Sequence, residues 1–89
     1  MAKTNTMHYA YILKSLKDTE LYIGSTGNLK RRFLEHQQGR ATSTKHRRPL
    51  KLIFYEAFSS KKDAERRELY FKTSKGKSTL KMMLRESLK

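Results

Sequence analysis

The sequence predicts an α+β fold in which a small three-stranded antiparallel sheet is flanked by helices, in the order β-β-α-β-α-α. Three observations support this prediction. Two short segments rich in aromatic and branched residues are joined by a polar turn, which is typical of a hairpin. A third segment of the same kind follows a long polar loop. The other segments carry apolar residues at helical spacing, which places helices on the faces of the sheet.

The length of the chain favours a single domain. The 89 residues contain no internal repeat, linker or low-complexity segment, and they are enough for one small core. We therefore expect one domain over residues 1–89, with its core at about residues 7–88.

The first two strands are predicted at Tyr9–Leu13 and Leu21–Ile23, with a turn at residues 17–19. Because side chains alternate along a strand, Tyr9, Tyr11 and Leu13 share one face. Gly24 is expected to end the second strand where the chain bends, a position that favours a residue without Cβ.

The first helix is predicted from about Leu29 to Gln38, with Asn28 or Thr26 as its N-cap and Gly39 at its C-terminal end. Successive residues turn by about 100° around a helix. Arg32 and His36 therefore lie at the border of the apolar stripe that packs on the sheet. Arg31 points elsewhere, so Arg32 is the arginine expected inside a site.

The third strand is predicted at Leu52–Ala57, after the polar loop 40–48 and Pro49. The second helix is predicted over Lys61–Thr73, with Ser60 and Asp63 as a capping box. Gly76 is expected to break this helix. A last amphipathic helix is then indicated by four apolar residues at helical spacing: Leu80, Met83, Leu84 and Leu88.

The charge of the chain is strongly positive, because 21 Lys and Arg residues against eight Asp and Glu give +13. Such an excess opposes a compact fold by self-repulsion and indicates a polyanionic partner. Nucleic acid is expected and a membrane is not, since no basic amphipathic helix carries exposed Trp or Phe. Phosphate contacts are expected from cations of the first helix and of the loop after it: Lys30, Arg31, Arg40, Lys45, Arg47 and Arg48.

The chain has no cysteine, which excludes disulfides and thiolate metal sites. Its first six residues are polar and lack the apolar segment of a signal peptide, and no apolar run is long enough to span a bilayer. We expect a soluble, cytoplasmic protein.

Five side chains supply groups suited to phosphodiester chemistry: Tyr11, Tyr22, Arg32, His36 and Glu68. An arginine binds phosphate, and a phenol or an imidazole can move a proton. A phenol with a pKa near 10 is a poor base at neutral pH, so nearby cations would have to lower its pKa. The structural alternative is that strand tyrosines pack across the sheet and a helical histidine is solvated or packed.

Glu68 falls on the same narrow face of the second helix as Phe71, whereas Glu65 sits to the side. An acid in such a place needs a partner, for which Arg32, Arg67 and a divalent metal are the candidates. A lone carboxylate holds Mg²⁺ only loosely, with water and substrate phosphate as further ligands. The alternative is a partly exposed Glu68 in an ordinary ion pair.

From about Tyr9 to Leu84 the chain resembles the GIY-YIG nuclease superfamily. Tyr9-Ala10-Tyr11 stands where the first triplet belongs, without its leading Gly, and Tyr22-Ile23-Gly24 matches the second triplet. Further matches are Asn28 to Arg32, Glu35-His36 followed by Gly39, and Ala64-x-x-Arg67-Glu68.

The resemblance implies metal-dependent cleavage of one DNA strand at one active site. It implies that Tyr22 is the general base or activates the water through the metal. It also implies that Tyr11 orients the nucleophile or the phosphate and that Arg32 stabilises the phosphoryl charge. His36 would assist proton transfer, and Glu68 would be the sole protein ligand of one Mg²⁺ or Mn²⁺ ion. Structural positions of the motif would be Tyr9, Gly24 and Asn28.

Two hypotheses follow for the function. The first is a DNA endonuclease that acts on branched or damaged DNA in repair or recombination, or that a partner protein directs to its target. The rival is a non-catalytic DNA- or RNA-binding module on the same fold, such as a ribosome-associated protein. An inward acid among the cations favours the enzyme, because a binding module needs only the cations.

Overall fold

The computed structural model describes residues 6–89 of the chain. The predicted polar N-terminus lies outside these residues, except for Thr6. The elements are β1 (His8–Ser15), β2 (Leu21–Thr26), α1 (Leu29–Gln37), a short 3-10 turn (Lys45–Arg47), β3 (Leu50–Phe58), α2 (Lys61–Phe71) and α3 (Ser74–Met83). This order confirms the predicted α+β class.

The sheet is antiparallel throughout, with β1 in the centre and the strand order β2-β1-β3. Tyr11 on β1 lies opposite Gly24 on β2 and Tyr55 on β3. The hairpin of β1 and β2 and the antiparallel pairing are both as predicted. All three strands are longer than predicted. Pairing continues into polar residues in β1 and β2, and β3 extends from Leu50 to Phe58.

Helices cover the two faces of the sheet differently. On the face beneath α1, Tyr11, Leu13 and Leu50 form a cluster with Leu29 and Phe33 of the helix; we call this the site face. The opposite face, which we call the core face, packs against α2 and α3. Its buried cluster consists of Ile12, Ile23, Phe71, Leu80 and Leu84.

The ends of α1 confirm the predicted caps. The Asn28 side chain accepts a hydrogen bond of 3.0 Å from the backbone N–H of Arg31. Gly39 has φ of 77°, the left-handed conformation that glycine adopts most readily after a helix. The helix therefore starts and stops where its sequence directs.

The prediction that Gly24 ends β2 is wrong. The strand continues to Thr26, and Gly24 is a paired residue within it. A Cβ placed there would lie 2.6 Å from the hydroxyl oxygen of Tyr11. The glycine is required for space rather than for a bend, since only a bare Cα leaves room for that hydroxyl.

Four expectations about the last two helices are wrong. Ser60 is the N-cap of α2 but its side chain makes no capping hydrogen bond, and Asp63 pairs instead with Arg66 at 2.8 Å. Helix α2 ends at Phe71, before the predicted Thr73, which instead caps α3 by accepting from the N–H of Gly76 at 2.9 Å.

Gly76 therefore lies inside α3 rather than between helices. It is buried, and a Cβ there would overlap the carbonyl oxygen of Tyr70. Helix α3 stops at Met83, which is 43% exposed, so Met83 is not part of the packed stripe. Leu84 and Leu88 pack on the core face from the segment that follows the helix.

Candidate active site

Three aromatic rings meet on the site face. Tyr11 comes from the central strand, Tyr22 from the edge strand β2 and His36 from the last turn of α1. The ring centroids of the two tyrosines lie 6.2 Å apart, and the His36 ring lies 5.8 Å from Tyr11 and 5.0 Å from Tyr22. The structure thus brings together three of the five side chains singled out in the sequence.

A buried chain of hydrogen bonds runs through His36. The Tyr11 hydroxyl lies 2.9 Å from Nε2 of His36, and Nδ1 lies 2.7 Å from the hydroxyl of Thr44. All three side chains are buried. A neutral imidazole has one donor and one acceptor nitrogen, so the chain runs in a single direction for each tautomer of His36. Thr44 gave no signal in the sequence, because a lone threonine in a basic loop is ordinary.

Burial sets the protonation of these groups. It raises the pKa of Tyr11 to about 12, and the adjacent Arg32 guanidinium opposes only part of that rise. Burial, followed by the positive charge of Arg32, lowers the pKa of His36 to about 4. Both groups are therefore neutral at pH 7.

Two expectations are corrected by this arrangement. Neighbouring cations do not lower the pKa of Tyr11 below its usual range, because loss of solvent outweighs their attraction for a phenolate. His36 does not lie at the border of the buried stripe but inside it, because the loop after α1 packs Thr44 against the imidazole.

Arg32 is held beside the Tyr11 hydroxyl by its own helix. Its Nη1 donates to Oε1 of Glu35 at 2.9 Å, and this hydrogen bond raises the pKa of Arg32 above its usual range. The Arg32 side chain is 35% exposed, whereas that of Arg31 is 71% exposed. Arg32 can therefore reach a phosphate at the site, while Arg31 points outward as expected.

Glu68 approaches the site from the other side of the sheet. It belongs to α2, on the core face, and its Oε1 accepts a hydrogen bond of 2.7 Å from the hydroxyl of Ser25. Ser25 follows Gly24 in the edge strand, so the carboxylate meets the site at this edge. Its charge is close enough to contribute to the raised pKa of Tyr11, as the weakest of the causes.

The partner of Glu68 is Lys72, one helical turn further along α2. Lys72 Nζ lies 2.8 Å from Oε2 of Glu68, and the Glu68 side chain is 19% exposed. Neither of the two expected arginines pairs with Glu68. Arg67 binds Glu56 at 2.8 Å and Arg32 binds Glu35. Sequence reasoning missed Lys72 and Ser25, although the spacing of four residues between Glu68 and Lys72 is a recognisable pair.

Glu68 is the side chain that could hold a divalent metal at this site. Within residues 6–89 no group of three or more His, Asp or Glu side chains comes together as a preformed cage. Glu68 nevertheless offers a hard carboxylate oxygen at the edge of the site, with lone pairs beyond those that accept from Ser25 and Lys72. That chemistry fits Mg²⁺, which is commonly held by one or two carboxylates together with waters and substrate phosphate.

The predicted phosphate-binding cations fall into two groups. Arg47 forms an ion pair of 3.3 Å with Asp18, and Arg48 donates to the carbonyl oxygen of Lys45 at 3.0 Å while lying against Gly39. These two arginines hold the loop in place. Arg48 is nevertheless exposed at the surface, and so are the other four: Lys30, Arg31, Arg40 and Lys45.

Comparison with known proteins identifies the class. A family model described as the GIY-YIG catalytic domain matches residues 7–81. The chain therefore belongs to the GIY-YIG family, and this membership indicates a nuclease. Across the part of the chain that the structure describes, no helix is long and apolar enough to cross a membrane.

The chain is similar to small UPF0213 proteins. A UPF0213 protein of Staphylococcus haemolyticus is 47% identical over 77 residues, which cover 85% of this chain and 93% of the relative. A UPF0213 protein of Clostridium perfringens is 40% identical over 84 residues, which cover 93% of this chain and 89% of the relative. The solution NMR structure of a UPF0213 protein from Bacillus halodurans superposes with a TM-score of 0.54 and 36% identity, covering 86% of this chain and 84% of that one.

Proposed function

We propose that the protein is a divalent-metal-dependent DNA endonuclease of the cytoplasm, which hydrolyses a phosphodiester bond at this single site. Its substrate is branched or damaged DNA in repair or recombination. The observation that carries the proposal is that the Tyr11 hydroxyl packs over Gly24 with Arg32 beside it, while Glu68 accepts from the neighbouring Ser25. A carboxylate repels phosphate, so Glu68 beside these cations favours the enzyme over a module that only binds phosphate, although Glu68 is also paired with Lys72.

The side chains divide the reaction between them. Arg32 binds a non-bridging phosphate oxygen and stabilises the charge that develops there. Tyr11 keeps its proton at neutral pH because of its raised pKa, so it orients the phosphate or the nucleophile by hydrogen bonding. Tyr22 is partly exposed and takes the role of general base.

In the bond-breaking step, the oxygen of an attacking water forms the new bond to phosphorus. A proton of that water passes to the Tyr22 oxygen as Tyr22 releases its own hydroxyl proton to solvent. The bond from phosphorus to the leaving oxygen breaks, and that oxygen takes a proton from solvent. His36 holds the Tyr11 hydroxyl in place through the bond at Nε2. Glu68 would hold a Mg²⁺ ion, which when bound would supply Lewis acidity and stabilise the charge on the leaving oxygen.

The test is incubation of the purified protein with flap, forked and plain duplex DNA, with Mg²⁺ and with a chelator. We expect nicking of the branched substrates, and a loss of at least about a hundredfold for Glu68→Gln. Glu65→Gln on the exposed side of α2 is the matched control and should cleave normally.

The competing result defines the rival function. If the protein binds DNA or RNA tightly, nicks none of these substrates, and binds equally well as Glu68→Gln, it is a non-catalytic module on this fold. That outcome would leave the family membership intact and remove the enzyme.

A further inference from the structure

An open groove borders the candidate active site on the site face. It has a volume of about 580 Å³ and a floor formed by Leu29 and Phe33 of α1. Tyr9 and Tyr55 line it from neighbouring strands, and Lys30 stands at its rim. The proposed chemistry uses none of these side chains.

The two tyrosines form an aromatic wall. Their ring centroids lie 5.9 Å apart with the planes inclined at 68°, an edge-to-face arrangement. Tyr55 is 52% exposed, so a large part of its ring faces solvent. Tyr9 occupies the place where the first family triplet has its leading glycine, so the aromatic ring there is a departure from that pattern.

The position of the wall ties it to the cleavage site. Tyr55 lies directly opposite Tyr11 in the sheet. Tyr9 is two residues from Tyr11 on the same strand and the same face, at a distance of about 7 Å along β1. A DNA strand whose scissile phosphate sits at Arg32 therefore passes a neighbouring nucleotide across this groove.

The chemistry of the groove selects its ligand. Among the described residues that line it none is acidic, and Lys30 supplies a positive charge to a protein of net charge +13. Exposed aromatic rings beside a cation bind single-stranded nucleic acid by stacking on its bases. In an intact duplex the bases are stacked on each other, so only an unpaired nucleotide has a free face to offer.

We propose that this groove binds one unpaired nucleotide of the DNA strand, with its base stacked on Tyr55 and its phosphate near Lys30. The inference rests on the proposed function, since it names the part of a branched substrate that the site recognises. It also gives Tyr9 a role, as the ring that supports Tyr55 from its edge.

The test measures binding without cleavage, with the full chain in a chelator. A single-stranded DNA oligonucleotide carrying the fluorescent base 2-aminopurine reports stacking by quenching, and anisotropy gives its affinity. We expect Tyr55→Ala to weaken binding of the single strand by about tenfold and to abolish the quenching. Tyr55→Phe should bind within about twofold of the wild type because it keeps the ring.

Two controls separate stacking from general effects. Leu69→Ala removes a side chain that is 64% exposed on α2 and should leave binding unchanged. A duplex of the same sequence should bind the wild type and Tyr55→Ala equally. Equal loss on the single strand and on the duplex, or no loss on either, would overturn the inference.

Binding of a base in the groove and cleavage at the active site can be tested separately. A wild-type protein that nicks branched DNA, with Tyr55→Ala indistinguishable from it in binding, overturns the groove alone. A protein that stacks the single strand on Tyr55 and cleaves nothing overturns the endonuclease alone. An RNA strand of the same sequence is a second arm, and selective binding of RNA through Tyr55 would contradict the assignment to DNA.

Discussion

The two faces of the sheet use the same three strands for different ends. The core face buries branched apolar side chains such as Ile12 and Ile23 against Phe71 of α2 and Leu80 of α3. The site face buries polar groups as well, and each of them is hydrogen-bonded: Tyr11 to His36 and His36 to Thr44. Neighbouring side chains of β1 point to opposite faces, so Ile12 packs in the core while Tyr11 belongs to the candidate site.

The two faces of the sheet should respond differently to substitution. Apolar packing on the core face is collective, so a change there acts mainly on stability. The site face depends on individual hydrogen bonds, so a change there acts on protonation and geometry as well. Substitutions on the two faces should therefore differ in what they change.

The largest effect is expected for Gly76→Ala on the core face. A Cβ there overlaps the carbonyl oxygen of Tyr70, a backbone atom that cannot move alone. We expect a loss of about 3 kcal/mol or more in the free energy of unfolding, measured by urea denaturation.

Gly24→Ala on the site face is the matched variant. Its Cβ meets the end of the Tyr11 side chain rather than backbone, so a smaller loss of about 1–3 kcal/mol is expected. The hydrogen bond between Tyr11 and His36 should break. Equal destabilisation by Gly76→Ala and Gly24→Ala would contradict the difference between the two faces.

The second effect is a dependence of stability on pH through His36. Its pKa is about 4 in the folded protein, against 6.5 for an ordinary histidine. Between these values the unfolded chain binds more protons, so stability rises with pH and is lost as pH falls from about 6.5 towards 4. The expected loss is up to about 3 kcal/mol.

The measurement is urea denaturation at pH 7 and pH 4.5 for the wild type, His36→Gln and His46→Gln. His46 is exposed, so its variant should keep the full pH dependence of the wild type. His36→Gln should lose the part that comes from the imidazole. An identical pH dependence in all three proteins would show that His36 is not buried as a neutral group.

The third effect comes from Thr44→Val, which keeps the shape of the side chain and removes its hydroxyl. Nδ1 of His36 then has no partner in the buried chain, which should cost about 1–3 kcal/mol. Nitrogen-15 NMR of the His36 ring reports whether one tautomer is still preferred. Thr44→Ser should restore both the stability and the tautomer, since it keeps the hydroxyl; a Thr44→Val protein with wild-type stability and ring shifts would count against this role.

The smallest effect concerns Lys72, which neutralises Glu68 in the free protein. Lys72→Met removes the ammonium from Oε2 of Glu68, so Mn²⁺ should bind more tightly by about two- to fivefold. Electron paramagnetic resonance of free Mn²⁺ measures this affinity without any cleavage. Lys62→Met is the control for net charge, and the double variant with Glu68→Gln should show no gain; a gain of equal size in Lys62→Met would assign it to net charge instead.

Much of the fold could be predicted from the sequence. The hairpin, the caps of α1 and the element order depend on local features that short segments carry by themselves, such as alternation, an asparagine N-cap and a glycine after the helix. The placement of Arg32 towards the site and Arg31 away from it followed from helical periodicity alone.

The contacts that build the candidate site could not be predicted in the same way. The spacing of Glu68 on α2 pointed it inward, but only the packed structure shows that it reaches the edge of the sheet through Ser25 and that Lys72 is its partner. Thr44 lies 33 residues after Tyr11 in the sequence, and no local pattern predicts that both contact His36. The pKa of Tyr11 depends on burial, which a list of nearby cations does not reveal.

By itself, then, the sequence determined the elements and their order, the strong positive charge and the set of residue types that resembles a nuclease site. Those properties are local or additive along the chain. Only the tertiary structure decided that Gly24 makes room for the Tyr11 hydroxyl, that His36 is buried as a neutral link and that Glu68 enters from the opposite face. Each of these depends on the distance between segments remote in sequence, and the strength of a hydrogen bond or a charge is set by that distance and by the exclusion of water.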